Sequence, residues 1–207
     1  TNYDGDEELM VDAPGGRVDV KGSQLIAGTE RFGGRIALTG EAINVDGDSE
    51  LIATGRIGGG LIEVGGSWHN SDASVRQAVT TQIEQGAVLD ASAIRNGDGG
   101  EIVVRSDISN AESVTSVAGT LLAKGGRKGG DGGDIETSGF ELDVSGIVID
   151  NTASKGEQGF WLRSTGSDGS DSSLLREDDE DDYDDYDDYD EDDYDDYDDY
   201  DDYDEDD

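Results

Sequence analysis

No cysteine occurs in the 207 residues, which excludes disulfides, thiolate chemistry and cysteine-based zinc or iron–sulfur sites. One histidine, His69, leaves no second imidazole to share a metal or a proton relay. Bases are also scarce: 14 Lys and Arg stand against 52 Asp and Glu, a net charge of −38. Nucleic acid and anionic membranes require a basic face, so neither is expected as a partner. No stretch approaches the roughly eighteen apolar residues of a membrane span, so no membrane insertion is expected. The opening TNYDGDEELM lacks the basic-then-apolar pattern of a signal peptide.

What is present is unevenly placed. Glu177 to Asp207 holds 24 acids, seven Tyr and nothing else, whereas all 32 Gly and all 14 bases precede it. Residues 1–176 therefore carry −14 and the tail −24. Four segments follow: an acidic start (1–13), a Gly-rich body (14–163), a Ser/Gly/Asp linker (164–176) and a polyanionic tail (177–207). Ordering the tail would cost about 1–2 kcal/mol per residue against strong self-repulsion, so it is expected to be disordered. Its repeated Asp-Asp-Tyr units, beginning with Asp181, Asp182, Asp184 and Asp185, would attract calcium, other cations or basic surfaces diffusely.

The body repeats. Gly-Gly pairs at 15, 33, 59, 99 and 132 are each followed, two residues on, by Val18, Ile36, Ile62, Ile102 or Ile135. The fourth position is Val20, Leu38, Val64, Val104 or Thr137. Period-2 alternation launched from a glycine turn reads as a short strand with one buried face. Further short strands are expected at Leu25–Ala27, Ile43–Val45, Leu51–Ala53, Val88–Leu89, Leu121–Ala123 and Leu142–Val144. Asp72 to Gln82 alone resembles a helical turn. Short strands recurring at coil-sized intervals predict an all-β, right-handed parallel β-helix rather than a sandwich. With ~20 residues per coil, about seven coils would form a rod roughly 35 Å long.

Residues 86–139 contain Leu89-Asp90-Ala91-Ser92-Ala93, Asn96-Gly97-Asp98-Gly99-Gly100, Gly119-Thr120-Leu121 and Gly129-Gly130-Asp131-Gly132-Gly133, in that order. With these motifs the stretch resembles the repeats of filamentous haemagglutinin-type large exoproteins, bacterial surface proteins exported by two-partner secretion. Arg105 departs from it, standing where those repeats usually carry Trp. The match is to repeat coils, not to the N-terminal secretion domain of such proteins. It implies a β-helix, an extracellular or bacterial outer-surface setting and, within a larger exoprotein, an outer-membrane transporter as partner.

No catalytic residue and no cofactor are expected. Trp68 and His69, in a polar loop, are the ligand-binding candidates for carbohydrate, matrix or a cell-surface protein. Asp131 and Asp134 fit the opening of a calcium-binding nonapeptide, but Glu136 occupies its apolar eighth position and no tandem copy follows. They remain isolated calcium candidates. The functions in view are an adhesin-like structural protein, a β-helical carbohydrate-active enzyme and an acidic-tail binder of basic proteins. For the enzyme, Asp131, Asp134 and Glu136 near Lys124, Arg127 and Lys128 would be the constellation.

Overall fold

The computed structural model describes residues 7–166 and, for the backbone alone, Ser173–Leu175. The polyanionic tail, with Asp181, Asp182, Asp184 and Asp185, lies outside the described residues, as does most of the linker. The chain winds as a parallel β-helix with three faces.

The first coil is β1 (Glu8–Val20) and β2 (Gln24–Ile26), and the second is β3 (Arg35–Val45) and β4 (Glu50–Ile52). The third is β5 (Leu61–Val64), β6 (Thr80–Ile83) and β7 (Val88–Asp90). The fourth is β8 (Glu101–Arg105), β9 (Val114–Val117) and β10 (Thr120–Leu122). The fifth is β11 (Asp134–Gly139), β12 (Glu141–Asp143) and β13 (Val148–Asp150), and β14 (Trp161–Thr165) begins a sixth. β1 and β3 bend across two faces without a break, whereas later coils divide the same path into two strands. β15 (Ser173–Leu175) then runs antiparallel along β14 and covers its edge.

Three side-chain ladders fill the interior. The first face stacks Leu9, Ile36, Ile62, Ile102, Ile135 and Trp161, of which the four Ile are fully buried. The second stacks Val18, Ile43, Thr81, Thr115 and Leu142. The third stacks Leu25, Leu51, Leu89, Leu121 and Ile149. Burying each of these aliphatic side chains contributes about 1.5–3 kcal/mol relative to exposure. β-Branched residues suit the positions because the pleat holds them in one rotamer against the rung above.

Four expectations are corrected. Val18 is not equivalent to Ile36: Gly15-Gly16 lies at a corner inside β1, where the register shifts, so Val18 belongs to the second face. In-register spacings of 26, 40 and 33 residues between Ile36, Ile62, Ile102 and Ile135 make each coil longer than 20 residues, and five complete coils form rather than seven. Strand pairing also starts at Glu8, ahead of residue 14, and continues through Ser164 and Thr165. The helical turn expected at 72–82 is absent: Thr80–Ile83 is a strand, and a 3-10 turn sits earlier, at Trp68–Asn70.

The corner between third and first faces has the tightest packing. Gly60, Gly100 and Gly133 donate their N–H to the carbonyls of Ala53, Ala91 and Ala123 within a coil. Glu101 N then donates to Gly60 O of the coil before, at 2.9 Å. A Cβ on Gly100 would lie 1.9 Å from Gly60 O, so only glycine allows two main chains to meet there. Gly100→Ala is expected to cost about 3 kcal/mol or more in urea unfolding, because backbone must shift. Gly15→Ala, at φ +64 with open space around it, is expected to cost only about 1–2 kcal/mol of conformational strain.

Candidate functional site beneath the 65–79 strap

Between β5 and β6 the third coil inserts residues 65–79, where earlier coils pass straight through. Gly65, at φ +83, turns the chain off the first face, and Ala78 N closes the excursion on Gly65 O at 2.9 Å. The inserted strap lies over the outer side of the first face. Ser67 Oγ accepts from Asp72 N, Val75 and Ala78 are buried, and Trp68 packs edge-to-face on Phe160 with ring centroids 5.8 Å apart.

Under the strap the outer positions of the face, Ala37, Glu63, Val103 and Glu136, form one ladder and are all buried. Two of them are carboxylates, and each has an arginine. Arg35 donates from Nε and Nη2 to Glu63 Oε2 at 2.9 and 2.6 Å, and from Nη1 to Glu8 at 2.6 Å. Arg105 Nη1 donates to Glu136 Oε1 at 3.0 Å, with side-chain exposures of only 3% and 2%. Glu136 also accepts from Ser138 Oγ and from the backbone N–H of His69, both at 2.7 Å. Arg105 reaches back to Ser67 O at 3.1 Å and Gln77 Oε1 at 3.3 Å. Burial pulls the Arg105 guanidinium below its ordinary range, with Glu136 and Asp107 opposing. Arg105 and Glu136 thus tie strap to face through one desolvated pair.

Beside this pair is a cleft of about 230 Å³ lined by His69, Arg105, Ile108, Glu136, Ser138 and Thr165. His69 is exposed at its rim, its ring 5.4 Å from that of the half-buried Trp68. The two ligand candidates are therefore neighbours, but Trp68 is engaged with Phe160. Arg105, a mere departure from Trp in sequence, proves to be the anchor of the strap. The signal for it was the two-residue offset between Arg105 and Glu136 in successive coils.

Asp131 and Asp134 occupy another place, the glycine corner. There Asp98 Oδ1 accepts from Asp131 N, and Asp131 Oδ1 accepts from Glu157 N of the next coil, both at 2.9 Å. Asp134 Oδ1 accepts from Phe160 N at 3.2 Å. These carboxylates receive main-chain N–H groups of adjacent coils. Among the described residues no group of three or more His, Cys, Asp and Glu is placed to hold a metal. Glu136 belongs to the buried pair, while Lys124 approaches Asp150 at 3.5 Å and Arg127 Nε donates to Ile94 O. The constellation weighed for an enzyme is thus divided between separate networks. In the same corner a groove of about 370 Å³ includes Glu101, pushed up to about 7 by burial and by the charges of Glu63, Asp134 and Glu136.

Three parallel faces, one ladder per face and glycine corners define a parallel β-helix. No protein-family model and no curated protein matches the sequence. The fold is similar to the crystal structure of the HMW1 secretion domain from Haemophilus influenzae, with a TM-score of 0.62 and 23% identity. The likeness covers 75% of this chain and 38% of that one.

Arg105→Met is expected to cost about 3–5 kcal/mol in urea unfolding, because Glu136 stays buried without its countercharge. Adding Glu136→Met should recover most of that loss, a coupling readable in a double-mutant cycle. Glu101 binds its proton more tightly folded than unfolded, so its contribution to stability falls as pH rises from about 4.5 to about 7. Glu101→Gln is expected to raise the melting temperature at pH 8 and leave it unchanged at pH 4. The gain should be about 1–2 kcal/mol, reduced from the full linkage value by the carboxylate's partial exposure.

Proposed function

We propose that this chain is a β-helical part of a secreted or surface-exposed, adhesin-like exoprotein that binds other molecules rather than transforming them. The observation that carries the reading is the backbone likeness to a secretion domain, joined to the exoprotein-like motifs of residues 86–139. The sequence matched repeat coils, whereas the structural neighbour is a secretion domain. Both lead to two-partner export with an outer-membrane transporter as the first partner, and to an extracellular or outer-surface location. No helix among the described residues is long and apolar enough to cross a membrane.

The chemistry of the surface favours binding over catalysis. Asp98, Asp131 and Asp134 accept main-chain N–H groups, and Glu136 is closed off by Arg105, Ser138 and the strap. Carboxylates held in this way are suited to fixing coils in register. Flanks and loops are then the binding elements, with carbohydrate, matrix or a surface protein as ligand. Diffuse attraction of calcium or basic surfaces to the acidic tail completes the reading.

The test is export. The chain, given a periplasmic signal and produced in a Gram-negative host, is expected in the medium only when a two-partner outer-membrane transporter is co-produced. Equal retention in the periplasm with and without the transporter overturns the proposal.

A further inference from the structure

A net charge of −38 argues against any basic face, yet winding the chain assembles one. Five loops join the third face of one coil to the first face of the next: 27–34, 53–60, 91–100, 123–133 and 151–160. They carry seven bases, half of the 14 in the chain, and only four acids. One or more bases fall in every loop.

Backbone hydrogen bonds set these bases in a column. Ile57 N donates to Arg31 O at 2.8 Å, Arg95 N to Arg56 O at 3.0 Å and Lys128 N to Arg95 O at 2.7 Å. Arg31, Arg56, Arg95, Arg127 and Lys128 thus follow one another over successive coils, about 4.8 Å per rung. All five are exposed, and none forms an ion pair among the described residues. Arg31 rests on the Phe32 ring, 5.6 Å from its centroid, and Arg127 is braced on Ile94 O. Of the four acids, Asp98 and Asp131 point their carboxylates at main-chain N–H groups, leaving Glu30 and Glu157.

Like charges on adjacent rungs repel and destabilise a sheet. In a chain with 52 acids, pairing each base would remove that cost, yet the column is left unpaired. Alongside it runs a groove of about 580 Å³. Its apolar surface comes from Ile52 and Ile94, its hydroxyls include Thr54 and Ser154, and its cations are Arg127 and Lys124, the latter 3.5 Å from Asp150, against one lining carboxylate, Asp90. Apolar patches, hydroxyls and cations together match a sugar ring bearing an acid group. A rung spacing close to the length of one pyranose matches a polymer with one charge per sugar.

We propose that this corner is a binding site for an acidic polysaccharide, lying along the column with its carboxylates or sulfates on Arg56, Arg95, Arg127 and Lys128. The inference rests on the surface location proposed above and supplies the ligand class. A glycan is favoured over nucleic acid because the basic strip is narrow and flanked by an acidic body. The phosphates of a duplex, one per roughly 1.7 Å of axis, would meet repulsion on both sides, and a single strand lacks the hydroxyl-rich rings that the groove matches.

The purified full-length chain is titrated calorimetrically, at about 0.1 M salt, with polygalacturonate, dextran sulfate, neutral dextran and a single-stranded oligonucleotide. Polygalacturonate or dextran sulfate is expected to bind and neutral dextran not to; the tighter of the two shows whether carboxylate or sulfate is the source. The exposed triple variant Arg56→Gln, Arg95→Gln, Lys128→Gln is expected to keep its melting temperature and lose about tenfold or more in affinity. Equal binding by the variant, equal binding of neutral dextran, or tighter binding of the oligonucleotide overturns the site. Because the assay uses purified protein, glycan binding without export, or export without glycan binding, separates this inference from the one it rests on.

Discussion

Everything in this molecule depends on how closely one coil can approach the next at the glycine corner. Gly60 and Gly100 place main chain against main chain, with the hydrogen bond from Glu101 to Gly60 carrying the contact onward into the first face. Parallel strands have no tight hairpin to set their register. Here the corner sets it, once per coil, and the ladders of Ile, Val and Leu follow from that register. Loops inserted elsewhere can vary in length, which is why coils of 26 and 40 residues stack without disturbing Ile36, Ile62 and Ile102.

The strap exploits that freedom. It adds a second layer to a face that would otherwise be solvent-exposed, and this is why Glu63 and Glu136 are buried at positions that point away from the core. Burying a carboxylate is unfavourable without a partner. Arg35 and Arg105 meet that need, and the His69 N–H and Ser138 hydroxyl fill the remaining acceptors of Glu136. Such pairs add little net stability over an apolar contact, but they reject misregistered alternatives in which either charge would be stranded.

Much of the fold was legible in sequence because β-helices write their geometry locally. Gly-Gly followed by alternating aliphatics marked four successive rungs of the first face correctly, at Ile36, Ile62, Ile102 and Ile135. Val18 was misplaced because the corner inside β1 also uses a Gly-Gly pair, and local pattern cannot tell one corner of a coil from another. The sites were harder to read. Trp68 and His69 are neighbours in one loop, but what the loop covers depends on Phe160 and Glu136, distant in sequence. Asp131 and Asp134 carry a calcium-like spelling, and only the fold shows that their carboxylates receive N–H groups from the coil that follows.

By itself, then, the sequence determined the class of fold, the strands that follow Gly-Gly pairs on the first face and most of those on the third, and the separation of a Gly-rich body from an acidic tail, all of which are properties of neighbouring residues. The tertiary structure alone decided the coil length, the face to which each strand belongs, the pairing of Arg105 with Glu136 and the alignment of Arg31, Arg56, Arg95 and Lys128. The physical reason is that these depend on what lies one coil away. That distance is about 4.8 Å in space but 26 to 40 residues along the chain.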